Sequence, residues 1–337
     1  MPADRQRIDR VPTTSLRAYE LYLSAIARDT HQTAAENRLG IEEVDEATAI
    51  DPNFALAWAR KSGLLFEEAY FDAPRTAEYL ALGAEAARRA VEIEPTLGKA
   101  QGALGFALLT LRDWSGSETA FRTALSLNTP LDEIPTYSLL QLAVGNFASA
   151  RDILQQARAS TPENSGALAF LVMAHALLGD WKTATEQYEF GTGWFMPWAL
   201  GDDLMTLLLV GRNDRDAARR MPSSTELNAA MLARLDSPQG ALLELRRRYD
   251  GGASPGPAIA AWAAHFGDSA FALEALRAVA TQQAQLLMYV WLPQFADARR
   301  LPQFKTLMRD MGVVAYWQQY GWPAVCRPRG TSDFECD

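Results

Sequence analysis

Apolar and polar positions along this chain follow a helical period, and the helical runs recur about every 34 residues. The clearest unit runs from Leu97 to Thr129 and holds Leu104-Gly105, Leu108, Trp114, Phe121 and Ala124. The next holds Gly145-Asn146-Phe147, Ala150, Leu154, Ala157 and Pro162, and a third holds Leu171, Gly179-Asp180-Trp181, Ala184 and Tyr188. The turn positions Pro95, Thr129 and Pro162 are 34 and 33 residues apart. From Pro52 to Pro95 the step is 43 residues, and the extra length is expected around residues 71–80. Each unit predicts two antiparallel helices. Small residues (Gly105, Ala150, Ala184) allow close approach, and large ones (Phe121, Leu154, Tyr188) fill the gap to the next pair. A pair cannot bury its apolar face alone, so pairs must stack.

Turn chemistry supports this register. Arg112-Asp113-Trp114, Gly145-Asn146-Phe147 and Gly179-Asp180-Trp181 sit between helices of one unit, with glycine suited to a left-handed cap. Asp51-Pro52-Asn53 and residues 161–164 separate units, because proline stops a helix. After residue 190 the pattern degrades. Short helices are expected over 199–211, 213–221, 224–235 and 238–249, a linker over 251–257, and a further pair over 258–266 and 269–281.

Composition agrees with helix throughout. The chain has 57 Ala and 43 Leu against 11 Val and 8 Ile, and β-branched aliphatics are the natural sheet fillers. The expected class is all-α: a right-handed superhelical solenoid of antiparallel helix pairs, with diverged C-terminal repeats and an aromatic helical cap. The expected organisation is a tail over 1–14, regular repeats over 15–190, diverged repeats over 191–284, and a cap with a Cys-containing tail over 285–337. Net charge is −9, all of it in residues 1–200, which carry 26 acids and 17 bases. That acidity argues against a nucleic-acid surface. No apolar run reaches the roughly 18 residues of a membrane helix, and no secretory leader is visible at the start.

The units resemble the tetratricopeptide repeat family at Leu104-Gly105, Phe121, Ala150, Ala157, Pro162 and Ala184. Residues 13–27 and 291–326 are similar to the start and end of repeat domains in bacterial signalling proteins. In those proteins the repeats follow a winged-helix domain with a membrane span, or a nucleotide cyclase domain. The resemblance implies an interaction or sensory module. It also implies a periplasmic location if the chain is part of a membrane-anchored regulator, and a cytoplasmic one otherwise. This chain holds no winged helix, membrane span or cyclase carboxylates of its own.

Catalytic patterns are absent: no metal-binding histidine pair, phosphate loop or nucleophile elbow occurs. The histidines are His31, His175 and His265. His175 reads as a core or groove residue, and His265 as a helix C-terminal group. The acidic pairs Glu42-Glu43, Glu67-Glu68 and Asp202-Asp203 read as surface charge, since adjacent helix residues do not face each other. The basic runs Arg219-Arg220, Arg246–Arg248 and Arg299-Arg300 read as solvated helix ends. Cys326 and Cys336 are either two reduced thiols or a local disulfide, and a disulfide would favour an oxidising compartment.

No enzyme activity, cofactor or metal is expected. The expected partner is a protein or peptide held in an apolar groove lined by Phe66, Lys99, Phe106, Leu109, Leu139, Leu142, Met173 and Leu177. These positions are largely apolar, so either a hydrophobic segment or the protein itself fills the groove. Self-filling candidates are the aromatic hook Trp194, Phe195 and Trp198, or the Cys-containing tail. A small-molecule sensor with an aromatic cleft near the hook is the alternative, and an enzyme on the helical scaffold comes last. Homo-oligomerisation through the aromatic cap is a further expectation.

Overall fold

The computed structural model describes residues 12–28, 33–130, 134–160, 162, 164–194, 199–222, 225–251, 256–330 and 333–337. Nineteen α-helices occur among them, packed as sequential antiparallel pairs. The chain divides into two compact units: residues 1–108 with 116–134, and residues 109–115 with 135–337.

The first unit begins with α1 (Leu16–Ala27) against α2 (Ala34–Ile50), then α3 (Ala55–Phe71) against α4 (Thr76–Ile93). It continues through α5 (Gly98–Thr110) and α6 (Trp114–Ser126), whose turn and flanking residues 109–115 belong to the second unit. The nine extra residues between Pro52 and Pro95 lengthen the helices. α3 and α4 have 17 and 18 residues, whereas α5 and α6 have 13 each. A short 3-10 turn, Ala73–Arg75, joins the longer pair. Its core is built from Ala18, Leu21, Tyr22, Ala47, Phe54 and Ala57, followed by Phe66, Ala69, Leu80, Ala84 and Ala87. Gly105 shows why small residues recur. A Cβ there would stand 2.9 Å from the Phe121 ring, closer than carbon atoms approach.

In the second unit the pairs are α7 (Tyr137–Ala143) with α8 (Phe147–Ser160), α9 (Ser165–Leu177) with α10 (Trp181–Trp194), and α11 (Ala199–Gly211) with α12 (Arg215–Arg220). At Gly179-Asp180 one dipeptide closes the first helix and opens the next. Gly179 adopts φ +81°, its N–H donates to Ala176 O, and Asp180 N–H donates to His175 O at 2.9 Å. Asp180 Oδ1 then accepts from Thr183 N at 3.2 Å. The first pattern is a Schellman motif and the second an N-cap, together satisfying groups that both helix ends would otherwise orphan. Positive φ recurs at Arg112, Gly145, Gly179 and Asn213, spaced by 33, 34 and 34 residues. Asn213-Asp214 repeats the motif, with Asp214 N donating to Leu209 O and Asp214 Oδ1 accepting from Ala217 N. The 34-residue step therefore reaches past residue 190, where the hydrophobic pattern has already faded.

α13 (Glu226–Leu232), α14 (Pro238–Asp250), α15 (Pro257–His265) and α16 (Ser269–Gln282) follow close to the expected positions. Next comes a 3-10 segment, Ala284–Trp291, with all eight residues buried, packed against α7 and α16. A second 3-10 turn, Pro293–Phe295, leads into α17 (Ala296–Arg299), α18 (Pro302–Asp310) and α19 (Val313–Tyr320). The chain then forms an antiparallel hairpin of β1 (Cys326–Arg329) and β2 (Asp333–Cys336). So the cap is helical, but its tail is a two-stranded ribbon.

Candidate functional site

Three tryptophans organise the aromatic segment of the second unit. Trp291 Nε1 donates to Ala143 O at 3.0 Å, and Trp317 Nε1 donates to Val144 O at 2.9 Å. Both acceptors lie at the C-terminal end of α7, where carbonyls lack helical partners. Trp114 Nε1 donates to Met311 O at 2.6 Å. The rings of Trp291, Phe304, Trp317, Trp322 and Phe334 stack around one another with centroids 5.1–6.3 Å apart. An indole buried with its N–H bonded contributes apolar area and leaves no unpaired donor. The aromatic cap is therefore turned inward: Trp291, Phe295, Phe304, Tyr316 and Trp317 are all buried. Tyr320 and Trp322 remain half-buried.

Cys326 and Cys336 are joined as a disulfide across paired positions of the hairpin. The link closes the ribbon that carries Phe334 into the aromatic cluster. Asp333, beside Phe334, is bonded by Lys305 at 2.7 Å and Arg309 at 3.1 Å, and Lys305 comes first in holding its carboxyl below the usual range. A small pocket of about 220 Å³ lies nearby, lined by Val314, Gln318, Trp322, Pro328, Gly330, Asp333 and Phe334.

The predicted groove residues divide by burial. In the first unit Phe66 is buried edge-on against half-buried Phe106, 5.0 Å between centroids, and Lys99 is exposed. In the second, Leu109, Leu142 and Met173 are buried, and Leu139 and Leu177 half-buried. Four of these eight side chains thus serve as packing. Among the described residues, the segment Ala284–Trp291 is wholly buried against α7 and α16, and Phe334 from the tail joins the aromatic cluster. For the hook, Phe195 and Trp198 lie outside the described residues, as does the side chain of Trp194; His31 does too.

Several charged residues depart from the surface reading. Glu68 is 1% exposed and accepts from Asn37 Nδ2 and Arg38 Nε, each at 2.7 Å. Asp202 is buried and accepts from Tyr188 OH at 2.6 Å. Asp203 accepts from Asn228, whose carbonyl oxygen accepts the Trp262 indole at 2.7 Å. Adjacent residues point about 100° apart on a helix, so one of two acids can turn inward while its neighbour stays wet. Arg299 is buried as well. It donates to the carbonyls of Val290, Leu292 and Asp337, and desolvation brings its guanidinium down to about 10. His175 is buried at the end of α9, with Nδ1 3.2 Å from Asp180 Oδ2. His265 ends α15 against the rings of Trp262 and Phe266, and burial there pushes the imidazole below the ordinary histidine range. Among the described residues no three His, Cys, Asp or Glu side chains stand together as a metal site. No helix among them is long and apolar enough to cross a membrane.

Among the described residues, α1 carries a long apolar face in water. Ser15 caps this helix, its Oγ accepting from Ala18 N at 3.2 Å. Ala18, Leu21, Tyr22 and Ala25 are buried against the neighbouring helices. Leu16, Tyr19, Leu23 and Ile26 are exposed by 72%, 37%, 45% and 38%. Their spacing of 3, 4 and 3 residues places them in a single stripe. Polar clamps fix α1 to α2. Arg28 donates to Glu36 at 2.6 Å and to Glu43 at 2.7 Å, Ser24 donates to Glu43 at 2.7 Å, and Arg17 pairs with Glu46 at 3.0 Å. The Arg28 guanidinium holds the Glu43 carboxyl below its ordinary range. Sequence reading missed the stripe because α1 is apolar on two faces, and only burial distinguishes the inner from the outer one.

No protein-family model matches this chain, and no curated protein matches it. Solved structures do. A structure of Naa15/Naa10 bound to HypK-THB aligns with a TM-score of 0.31 at 15% identity, over 92% of this chain and 43% of that one. The P58(IPK) TPR domain aligns with a TM-score of 0.27 at 10% identity, over 89% of this chain and 99% of that one. This chain thus spans less than half of the Naa15/Naa10 chain it matches. By its own elements, sequential antiparallel helix pairs with a turn every 33–34 residues, the chain is an all-α helical-repeat protein ending in a short β-ribbon.

Proposed function

We propose that this protein is a non-catalytic interaction module that docks a protein or peptide segment. The observation that carries the reading is the exposed stripe Leu16, Tyr19, Leu23 and Ile26, held rigid by the clamps to α2. The test is comparative capture with the full chain and its Leu23→Glu/Ile26→Glu variant. Proteins retained by the first and lost by the second, at equal melting temperature, support the reading. Identical sets, or none retained by either, overturn it.

The finer role we propose is sensory or scaffolding, within a bacterial signalling protein. It rests on the likeness of residues 13–27 and 291–326 to repeat domains of membrane-anchored winged-helix regulators. The Cys326–Cys336 disulfide supports an oxidising compartment such as the periplasm. Alkylation of freshly lysed native cells tests this: a thiol-reactive Cys336 in the untreated protein removes that support.

A further inference from the structure

We propose that the α1 stripe receives one amphipathic helix of a partner protein, with apolar residues at 3–4 spacing and basic residues beside them. This rests on the docking reading above and adds the class of partner. The spacing of Leu16, Tyr19, Leu23 and Ile26 is that of a coiled-coil seam, in which each side chain fits between residues of a facing helix. An extended strand repeats every second residue and would meet such a stripe out of register.

Charge selects between occupants. The first unit carries 20 acids and 13 bases, so it accounts for −7 of the total −9. Glu20 is exposed at the edge of the stripe, four residues after Leu16 and three before Leu23. A second copy would bring the same charge of −7 against itself. A basic helix is instead drawn to the unit by its field.

The probe is a synthetic 21-residue peptide with leucine at the seam positions and lysine beside them. Controls are a glutamate-flanked peptide and a scrambled one of the same composition. Binding to the full chain is followed by fluorescence anisotropy and hydrogen exchange. The lysine peptide is expected to bind, to protect amides of residues 16–27, and to bind at least about tenfold more weakly to Leu23→Glu/Ile26→Glu. The glutamate peptide is expected to bind about fivefold more weakly at low salt, with the gap closing as salt screens the charges. Equal binding of the scrambled peptide, or protection elsewhere, overturns the helix assignment. So does a wild-type dimer in sedimentation that the variant abolishes, which would make a second copy the occupant. If the peptides fail while comparative capture still distinguishes variant from wild type, the docking face stands and only the partner class falls.

Discussion

Helix α1 and the segment 284–337 are both rich in large apolar side chains, and they dispose of them differently. In the C-terminal segment the aromatic rings pack on one another, and the indole N–H groups of Trp291 and Trp317 bond carbonyls at the end of α7. A disulfide closes the ribbon that supplies Phe334. On α1 the polar groups are clamped to α2, yet Leu16, Tyr19, Leu23 and Ile26 remain in water. A chain that can bury a whole aromatic cluster at one end has the means to bury four more side chains at the other. Those four side chains, exposed on a fixed helix, are the feature on which the proposed docking rests.

The comparison predicts unequal costs. Trp317→Ala is expected to cost the most, about 3–5 kcal/mol in denaturant unfolding, because it empties a packed site and leaves the Val144 carbonyl without its donor. A loss under about 1 kcal/mol would mean that the cluster is looser than its geometry. Cys326→Ser/Cys336→Ser is expected to cost up to about 3 kcal/mol, from freeing a short closed loop in the unfolded chain. Because Asp333 and Arg299 hold the hairpin independently, the tryptophan emission of the folded variant should stay close to wild type.

Much of this architecture is legible in the sequence where local chemistry specifies it. Gly145 and Gly179 stand where φ is positive, and the Asp180 after the second caps α10. The Asn213-Asp214 turn carried the same signal, but the six-residue α12, stopped by Pro222, gave it no long periodic helix to support it. Long-range pairing was not legible. Trp114 reads as a repeat position, yet its N–H partner is Met311, 197 residues away. Glu68 and Asp202 look like any exposed acid beside another, because a pair of adjacent acids does not say which one turns inward. For the same reason four of the eight predicted groove residues proved to be core: apolar helix positions read alike whether they face a groove or a neighbouring helix.

Tyr188 and Asp202 provide a pH test within the second unit. Burial, then the nearby Asp202 carboxylate, raises the Tyr188 phenol above its ordinary 10.0. The unfolded chain thus loses this proton at a lower pH than the folded one does. The contribution is complete below pH 10 and is lost as pH climbs beyond it. Tyr188→Phe should cost about 2 kcal/mol at neutral pH by leaving Asp202 buried without its donor. It should also flatten the fall of unfolding free energy as pH rises above about 10. An unchanged alkaline slope would place the Tyr188 hydroxyl in water.

The smallest expected effect bears most directly on the comparison. Leu23→Glu places a charge on a residue that is 45% exposed in the folded protein, so little apolar burial is given up. Its stability change should lie within about 0.5 kcal/mol of zero. The same substitution at Leu21, 6% exposed on the opposite side of α1, removes a core side chain and buries a carboxylate beside Tyr22 and Phe54. It should cost several kcal/mol, on the scale of about 3 or more. Unfolding curves of these two variants, two positions apart on one helix, measure how sharply α1 divides into an inner and an outer apolar face. If Leu23→Glu proves nearly as costly as Leu21→Glu, the outer face is already covered within the isolated chain, and the difference between the two ends of the protein disappears.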